Sequence, residues 1–163
     1  MLKGQDGPAA PTIDPELVAR RATASMCLEG PAVASPRAAG IYVVGMPMWM
    51  WATPSRSTLG PATATATAGG VTVTATAKVT RVRWATAPRS PAAAPPYAKS
   101  RDATPSPDCG HLYERPSYGQ PDGRYQATST ATWTAPALND GGTFTETRAT
   151  EFTADVHEVQ AVN

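Results

Sequence analysis

Neither sign of charge is in excess in this sequence, because 14 Lys and Arg residues are balanced by 13 Asp and Glu residues. The two kinds are interspersed, and no basic stripe is visible along the chain. Proteins that bind nucleic acid or an anionic membrane normally concentrate positive charge. The composition therefore predicts that neither is a partner.

Long apolar runs are also missing. The longest one, residues 41–51, is interrupted by Gly45 and Pro47 and is much shorter than the roughly 20 residues that span a bilayer. Residues 1–13 are polar and Pro-rich, with no apolar segment after Lys3. They are predicted to be a disordered tail, and the chain as given has no signal peptide and no transmembrane segment.

Signatures of catalysis and metal binding are absent from the sequence. It contains no Gly-x-x-x-x-Gly-Lys-Ser/Thr loop for a nucleotide, no nucleophile elbow and no carboxylates paired at a shared site. Asp108, Cys109 and His111 lie too close together in sequence to match the spacing of zinc ligands. We expect a protein that is not an enzyme and that has no catalytic, cofactor-binding or metal-binding residues.

The first regular element is predicted to be a helix from Asp14 to about Leu28. Asp14 can cap it, Pro15 suits the first helical position, and a Gly-Pro pair at 30–31 stops it. Residues 14–40 would then form a helix and a linker. The apolar positions recur at intervals of three and four residues and should pack on the domain that follows: Leu17, Val18, Ala22 and Met26.

From residue 41 onward, apolar and polar residues alternate, which indicates β-strands. Residues 62–68 and 71–77 alternate small apolar residues with Thr on either side of a Gly-Gly pair, and this pattern is typical of a two-residue hairpin. The alternation changes parity near Thr80-Arg81, which predicts a bulge there.

Three further strands are predicted at residues 125–133, 143–150 and 152–162. An Asn-Asp-Gly-Gly turn connects the first two. Some seven short strands, separated by Gly, Pro, Asn and Asp turns, predict an all-β fold over residues 41–163. The architecture that we expect is an antiparallel sandwich of the immunoglobulin-like kind.

The candidate binding surface is the stretch Met46-Pro47-Met48-Trp49-Met50-Trp51. The two Trp side chains would lie on one face of a strand and Met48 and Met50 on the other, with a bulge or sheet edge at Pro47. Both faces are therefore apolar, whereas a sandwich strand normally buries only one. We expect the predicted helix to cover the second face; the alternative is that the Met/Trp surface binds another protein.

Several motifs resemble a known family. The sequence His111-Leu112-Tyr113-Glu114 is followed, after a turn, by Gly123-Arg124-Tyr125 and an alternating strand that reaches Trp133. This combination is similar to the end of a polycystic-kidney-disease (PKD) domain. Segments 35–40, 43–51, 69–77 and 106–111 extend the resemblance over roughly residues 14–163, to a family of exported actinobacterial proteins with one PKD-like domain.

The resemblance implies a protein of the cell envelope or the extracellular space. Proteins of this family are often called ATP/GTP-binding, yet this chain lacks the residues for a nucleotide. They tend to accompany pilus-type secretion machinery, which implies an accessory or structural protein with a partner in such an assembly. A carbohydrate- or wall-binding module is the alternative. The residues to which the resemblance gives a structural role are His111, Tyr113, Gly123, Tyr125, Trp133 and Cys109.

Residues 85–106 do not fit the strand pattern. They contain several prolines and no apolar period, so we predict a Pro-rich loop. The family has a Gly-Asp-Gly turn, a strand and a cysteine after the Trp that matches Trp84, and a compensated frameshift would explain their replacement; a genuine loop is the alternative. The resemblance then implies that Cys109 has lost its partner, although a bridge to Cys27 stays open.

Overall fold

The structure, a computed structural model, describes residues 12–86, 89–94, 110–137, 139 and 141–160. The predicted tail at 1–13 therefore lies almost entirely outside the described residues. Within them the chain is built mainly of strands, which confirms the all-β class. The elements are α1 (Pro15–Ala24), β1 (Ala32–Ser35), β2 (Ile41–Val43), β3 (Pro47–Trp49), β4 (Trp51–Thr53), β5 (Ala62–Ala68), β6 (Val71–Thr86), β7 (Arg89–Ala94), β8 (Gly110–Leu112), a 3-10 turn (Pro121–Gly123), β9 (Tyr125–Pro136) and β10 (Thr143–His157).

Helix α1 begins where the sequence predicts and ends earlier. The Asp14 carboxylate caps it by accepting a hydrogen bond from the backbone N–H two residues further on, at 2.9 Å. The helix stops at Ala24 rather than at Leu28, because Ser25 caps its last turn and Leu28 turns into the main core. Leu17, which the periodicity places on the apolar face, is half exposed.

The large sheet has the strand order β2-β10-β9-β6-β5, with β7 also paired to β6. Its pairs are antiparallel except β2 with β10, which is parallel. The predicted hairpin is confirmed, since residues 62–68 pair in register with 71–77. Gly69 and Gly70 have φ values of 54° and 79°. A two-residue turn of this hand needs positive φ at both positions, which glycine adopts without strain.

The predicted bulge in β6 is confirmed at Thr80. Val79 faces Trp133 of β9, and Arg81 faces Thr132, so Thr80 is the extra residue between two consecutive partners. The Thr80 hydroxyl contacts the Thr132 carbonyl at 3.3 Å. The buried residues before and after the bulge point to the same side of the sheet, because one extra residue reverses the alternation.

Strand β10 differs from the prediction of separate strands at 143–150 and 152–162, which is wrong. It pairs with β9 without interruption from Thr143 to Ala154, and Glu151 between the two predicted segments simply continues the ladder. No turn-forming residue separates them. Three strands of 12 to 16 residues, β6, β9 and β10, therefore form the centre of the sheet in place of the seven short strands expected.

A second layer packs on one face of the large sheet. It consists of two small antiparallel sheets, β1-β4 and β3-β8. Helix α1 packs on the same sheet at the hairpin, where Val18 and Ala19 meet Val73. The main core joins Met48, Met50 and Ala52 of the second layer to residues of β6, β9 and β10: Val79, Val82, Trp84, Tyr125, Ala131, Trp133, Ala135, Ala154 and Val156.

The predicted Pro-rich loop at 85–106 is wrong in its first part. Residues 85–86 continue β6, and Arg89–Ala94 pairs antiparallel with β6 as strand β7. Within the described residues β7 pairs with β6 alone, so it lies at a sheet edge, where Pro91 is tolerated because no second neighbouring strand requires a backbone N–H donor at this position. Residues 95–109, which include Cys109, lie outside the described residues.

Candidate functional site

The candidate binding stretch 46–51 lies in the second layer with its two faces in different surroundings. Met48 and Met50 are 1% and 2% exposed and belong to the main core. Trp49 and Trp51 are partly exposed on the opposite face. The predicted division into a Met face and a Trp face is confirmed, but Met48 and Met50 are buried too deeply to contact a partner.

Helix α1 does not cover the Trp face, and that expectation is wrong. The helix packs through Val18 and Ala19 on the hairpin, at Val73. Its buried side chains are small and fit the alanine-lined face of β5 and β6. These strands belong to the large sheet, whereas Trp49 and Trp51 belong to the small sheets of the second layer. The Trp face of the stretch is therefore part of the outer surface of the described chain.

Strand β8 extends this surface. Pro47 of β3 pairs with Leu112, and Trp49 pairs with Gly110. The Trp49 ring packs closely over Gly110, because a Cβ at this position would lie only 2.9 Å from the ring. Leu112 and Met46 are 51% and 61% exposed. We call Met46, Pro47, Trp49 and Leu112 the apolar patch. The alternation around buried Tyr113 could have indicated that Leu112 faces outward.

Three rings pack together at β8, and two of them, Tyr113 and Tyr125, are buried. The Tyr113 ring stacks on Tyr125 with centroids 4.4 Å apart and meets His111 edge to face at the same distance. The His111 Nδ1 lies 3.0 Å from the Thr86 hydroxyl. Tyr113 is 2% exposed, and its hydroxyl has no hydrogen-bond partner among the described residues. Burial, with a smaller effect of Tyr125, raises the pKa of Tyr113 to about 12. Tyr113 is thus a core residue.

The loop between β8 and β9 is held by two hydroxyls. The Tyr125 hydroxyl donates to the Arg115 carbonyl at 3.0 Å. Ser117 is fully buried; its Oγ donates to the Gly123 carbonyl at 2.7 Å and accepts from the Val156 N–H at 2.9 Å. The Ser117 N–H also donates to the Val156 carbonyl at 2.8 Å. The pairing of β10 with β9 ends at Ala154 and Tyr125. Beyond that point Ser117 supplies the hydrogen-bond partners of the Val156 N–H and C=O groups in place of β9.

The remaining structural residues of the prediction lie apart from the patch. Trp133 is buried at the centre of the sheet, and its indole N–H donates to the Glu29 carbonyl at 3.0 Å. Gly123 ends the 3-10 turn with a φ of 68°. Cys27 is an exposed, free cysteine, and Cys109 lies outside the described residues.

A shallow groove at the end of β10 is a second candidate site. It has a volume of about 460 Å³, and Tyr118 on its wall is 79% exposed. The Asp155 carboxylate contacts His157 Nε2 at 2.8 Å and the Arg124 guanidinium at 3.7 Å. Glu158 also lines the groove. An exposed aromatic ring beside polar groups suits a small polar ligand.

Neither a metal site nor a membrane span is found in the described part of the chain. There, no three His, Cys, Asp or Glu side chains come together in a group that could hold a metal ion. No helix in those residues has the length and apolar character needed to cross a membrane.

The chain matches no protein-family model, no curated protein and no solved structure.

Proposed function

We propose that the chain is a non-enzymatic accessory or structural protein of the cell envelope or the extracellular space, whose PKD-like, immunoglobulin-like sandwich binds another protein. The apolar patch carries this proposal. Met46 and Leu112 are more than half exposed beside the partly exposed ring of Trp49. The centres of protein interfaces are enriched in Met and aromatic residues, so this composition suits a protein partner. The family resemblance favours a component of a pilus-type secretion assembly.

Two features support the immunoglobulin-like form of the sandwich. Tyr125 stands at the start of β9, and its hydroxyl donates to the carbonyl of Arg115, ten residues earlier in the chain. This contact is similar to the tyrosine corner of immunoglobulin-like domains. Trp84 is buried on β6, next to β9, and packs edge to face on Phe152 at 5.7 Å, comparable to the central Trp of such sandwiches.

Site-specific photo-crosslinking tests the proposal in cells that express the full chain. A photoreactive phenylalanine analogue at Leu112 should give one discrete adduct in the envelope or medium fraction, because Leu112 lies within the patch. The same analogue at Thr74, which lies on the exposed face of the hairpin, is the control. The adduct should disappear when Met46→Ser is added. An adduct of equal yield from Thr74, or one confined to the cytosolic fraction, would contradict the proposal.

The groove favours a second candidate function, a carbohydrate- or wall-binding module. Tyr118 offers an exposed ring for stacking, and Asp155 and Glu158 offer hydrogen-bond acceptors. A glycan array separates the two functions. Binding to an oligosaccharide that is lost in Tyr118→Ala and retained in Met46→Ser would favour the groove over the patch.

A further inference from the structure

The outer face of the large sheet, opposite the core, carries a row of cations. Simple alternation along the sequence does not place these residues on one face. Lys78, Arg81 and Arg83 are all exposed on β6, and none of them makes an ion pair with a described residue. In a regular strand Lys78 and Arg81 would point to opposite faces, because side chains alternate. The extra residue Thr80 brings them to the same face.

The bulge also makes the row regular. Measured along β9, the three cations face Thr134, Thr132 and Thr130 in turn, every second residue of that strand. Two residues of extended chain span about 6.5–7 Å, so the charges repeat at about that interval. A row of threonine hydroxyls therefore runs beside the cations and can donate hydrogen bonds to an anion. We call Lys78, Arg81, Arg83 and these threonines the cation row.

Within the described ladders, no acidic side chain on this face lies directly beside the row. Glu151 of β10 is the nearest one in the described ladders, facing Thr128 of β9. Glu151 is two strands away from β6 and is level with Ala85, two residues beyond Arg83. The Cα atoms of Glu151 and Arg83 are therefore roughly 12 Å apart. Glu151 forms no ion pair with Lys78, Arg81 or Arg83, so the row keeps its positive charge.

We propose that the cation row binds a linear phosphodiester polymer without bases, a poly(glycerol phosphate) of the teichoic-acid type. One glycerol phosphate repeat has six backbone bonds from phosphorus to phosphorus, the same number as two residues of polypeptide, and therefore spans about 7 Å when extended. Successive phosphates can thus meet Lys78, Arg81 and Arg83 in register. This inference does not depend on the apolar patch or on the groove.

The composition of the face distinguishes this polymer from single-stranded nucleic acid. Nucleic acid has a similar phosphate repeat, but proteins that hold it provide aromatic side chains for base stacking. The aromatic residues of β6, β9 and β10 in the described chain, Trp84, Tyr125, Trp133, Phe144 and Phe152, pack against the core clusters on the other face. A polymer without bases is therefore the better fit.

Isothermal titration of the full chain with a synthetic poly(glycerol phosphate) oligomer tests the proposal, with oligo-dT of equal phosphate count as the comparison. Three contacted phosphates predict a slope of about −2 for log K against log salt, or a roughly 20-fold loss of affinity from 50 to 200 mM. The variant Lys78→Gln/Arg81→Gln/Arg83→Gln should bind roughly tenfold more weakly or worse, with a flat salt dependence. Arg81→Lys/Arg83→Lys should retain both affinity and slope.

The matched control removes the same charge elsewhere, at three exposed arginines: Arg37→Gln/Arg56→Gln/Arg115→Gln. It should bind as the unmodified protein does. NMR amide shifts of the unmodified protein give a readout that does not depend on any variant, and they should change along β6 and β9. Equal losses in the two triple variants, shifts confined to other strands, or tighter binding of oligo-dT would each overturn the proposal.

Discussion

Removal of one buried hydroxyl should make the protein more stable and more resistant to alkali. In Tyr113→Phe the ring stack with Tyr125 is retained, while a hydroxyl without a partner among the described residues is lost. A buried hydroxyl that makes no hydrogen bond costs about 1–3 kcal/mol. We therefore expect Tyr113→Phe to raise the free energy of unfolding at pH 8 by about 1 kcal/mol.

The pH dependence gives a sharper test of the same site. The pKa of Tyr113 is raised from its ordinary value of 10.0 to about 12 in the folded protein. Between these values the unfolded chain loses a proton that the folded chain keeps, so stability falls as pH rises. The contribution of the neutral, buried Tyr113 to the free energy of unfolding is fully present below pH 10. About 1.4 kcal/mol of it should be lost by pH 11 and about 2–3 kcal/mol above pH 12.

Urea denaturation followed by Trp fluorescence at pH 8, 10 and 11 measures both effects. The difference in stability between Tyr113→Phe and the unmodified protein should widen by about 1.4 kcal/mol from pH 8 to pH 11. Tyr125→Phe is the matched control, since its hydroxyl donates to the Arg115 carbonyl, and it should lose about 1 kcal/mol at pH 8. Parallel pH curves for Tyr113→Phe and the unmodified protein would refute the reasoning.

Three further substitutions and one control test other parts of the fold. Ser117→Ala should lower the free energy of unfolding in urea by about 2 kcal/mol, because the buried Val156 N–H loses its acceptor; a loss below about 0.5 kcal/mol would contradict this role. Gly141→Ala should speed amide exchange in α1, since the added methyl would lie 2.8 Å from the Cβ of Ala19 in the helix. Gly142→Ala is the control, because its φ is 77° and nothing lies within 4 Å of the added methyl. It should cost only about 1 kcal/mol of backbone strain and leave the amide exchange of α1 unchanged. Trp133→Phe should cost about 2–3 kcal/mol in thermal denaturation through a cavity and a lost hydrogen bond; an unchanged melting temperature would argue against its burial.

The parts of the fold that local patterns determine were predictable from the sequence. The hairpin at Gly69-Gly70 and the bulge at Thr80 follow from alternation and turn chemistry, and both are present. The continuity of β10 was not predictable, because a strand that runs past Glu151 depends on its pairing with β9. The strand at Arg89–Ala94 was missed for a similar reason: proline excludes a central position but not an edge.

The candidate sites were only partly visible in the sequence. Alternation assigns Met48 and Trp49 to opposite faces but does not say which face meets the core. Alternation next to Tyr113 points Leu112 outward, but the position of Leu112 beside Pro47 depends on the pairing of β8 with β3, between segments far apart in the chain. The alignment of Lys78 with Arg81 follows from the bulge, and a count of charges along the sequence cannot reveal it.

The separation of the interior into two clusters has a consequence for how the protein opens. The smaller cluster joins α1 to the hairpin mainly through Val18, Ala19 and Val73, with few large side chains. A helix of ten residues has almost no stability of its own in water. The helix and the hairpin tip should therefore detach and reclose many times while the main core stays folded, and among the described residues proteases and exchange with solvent should reach them before the main core.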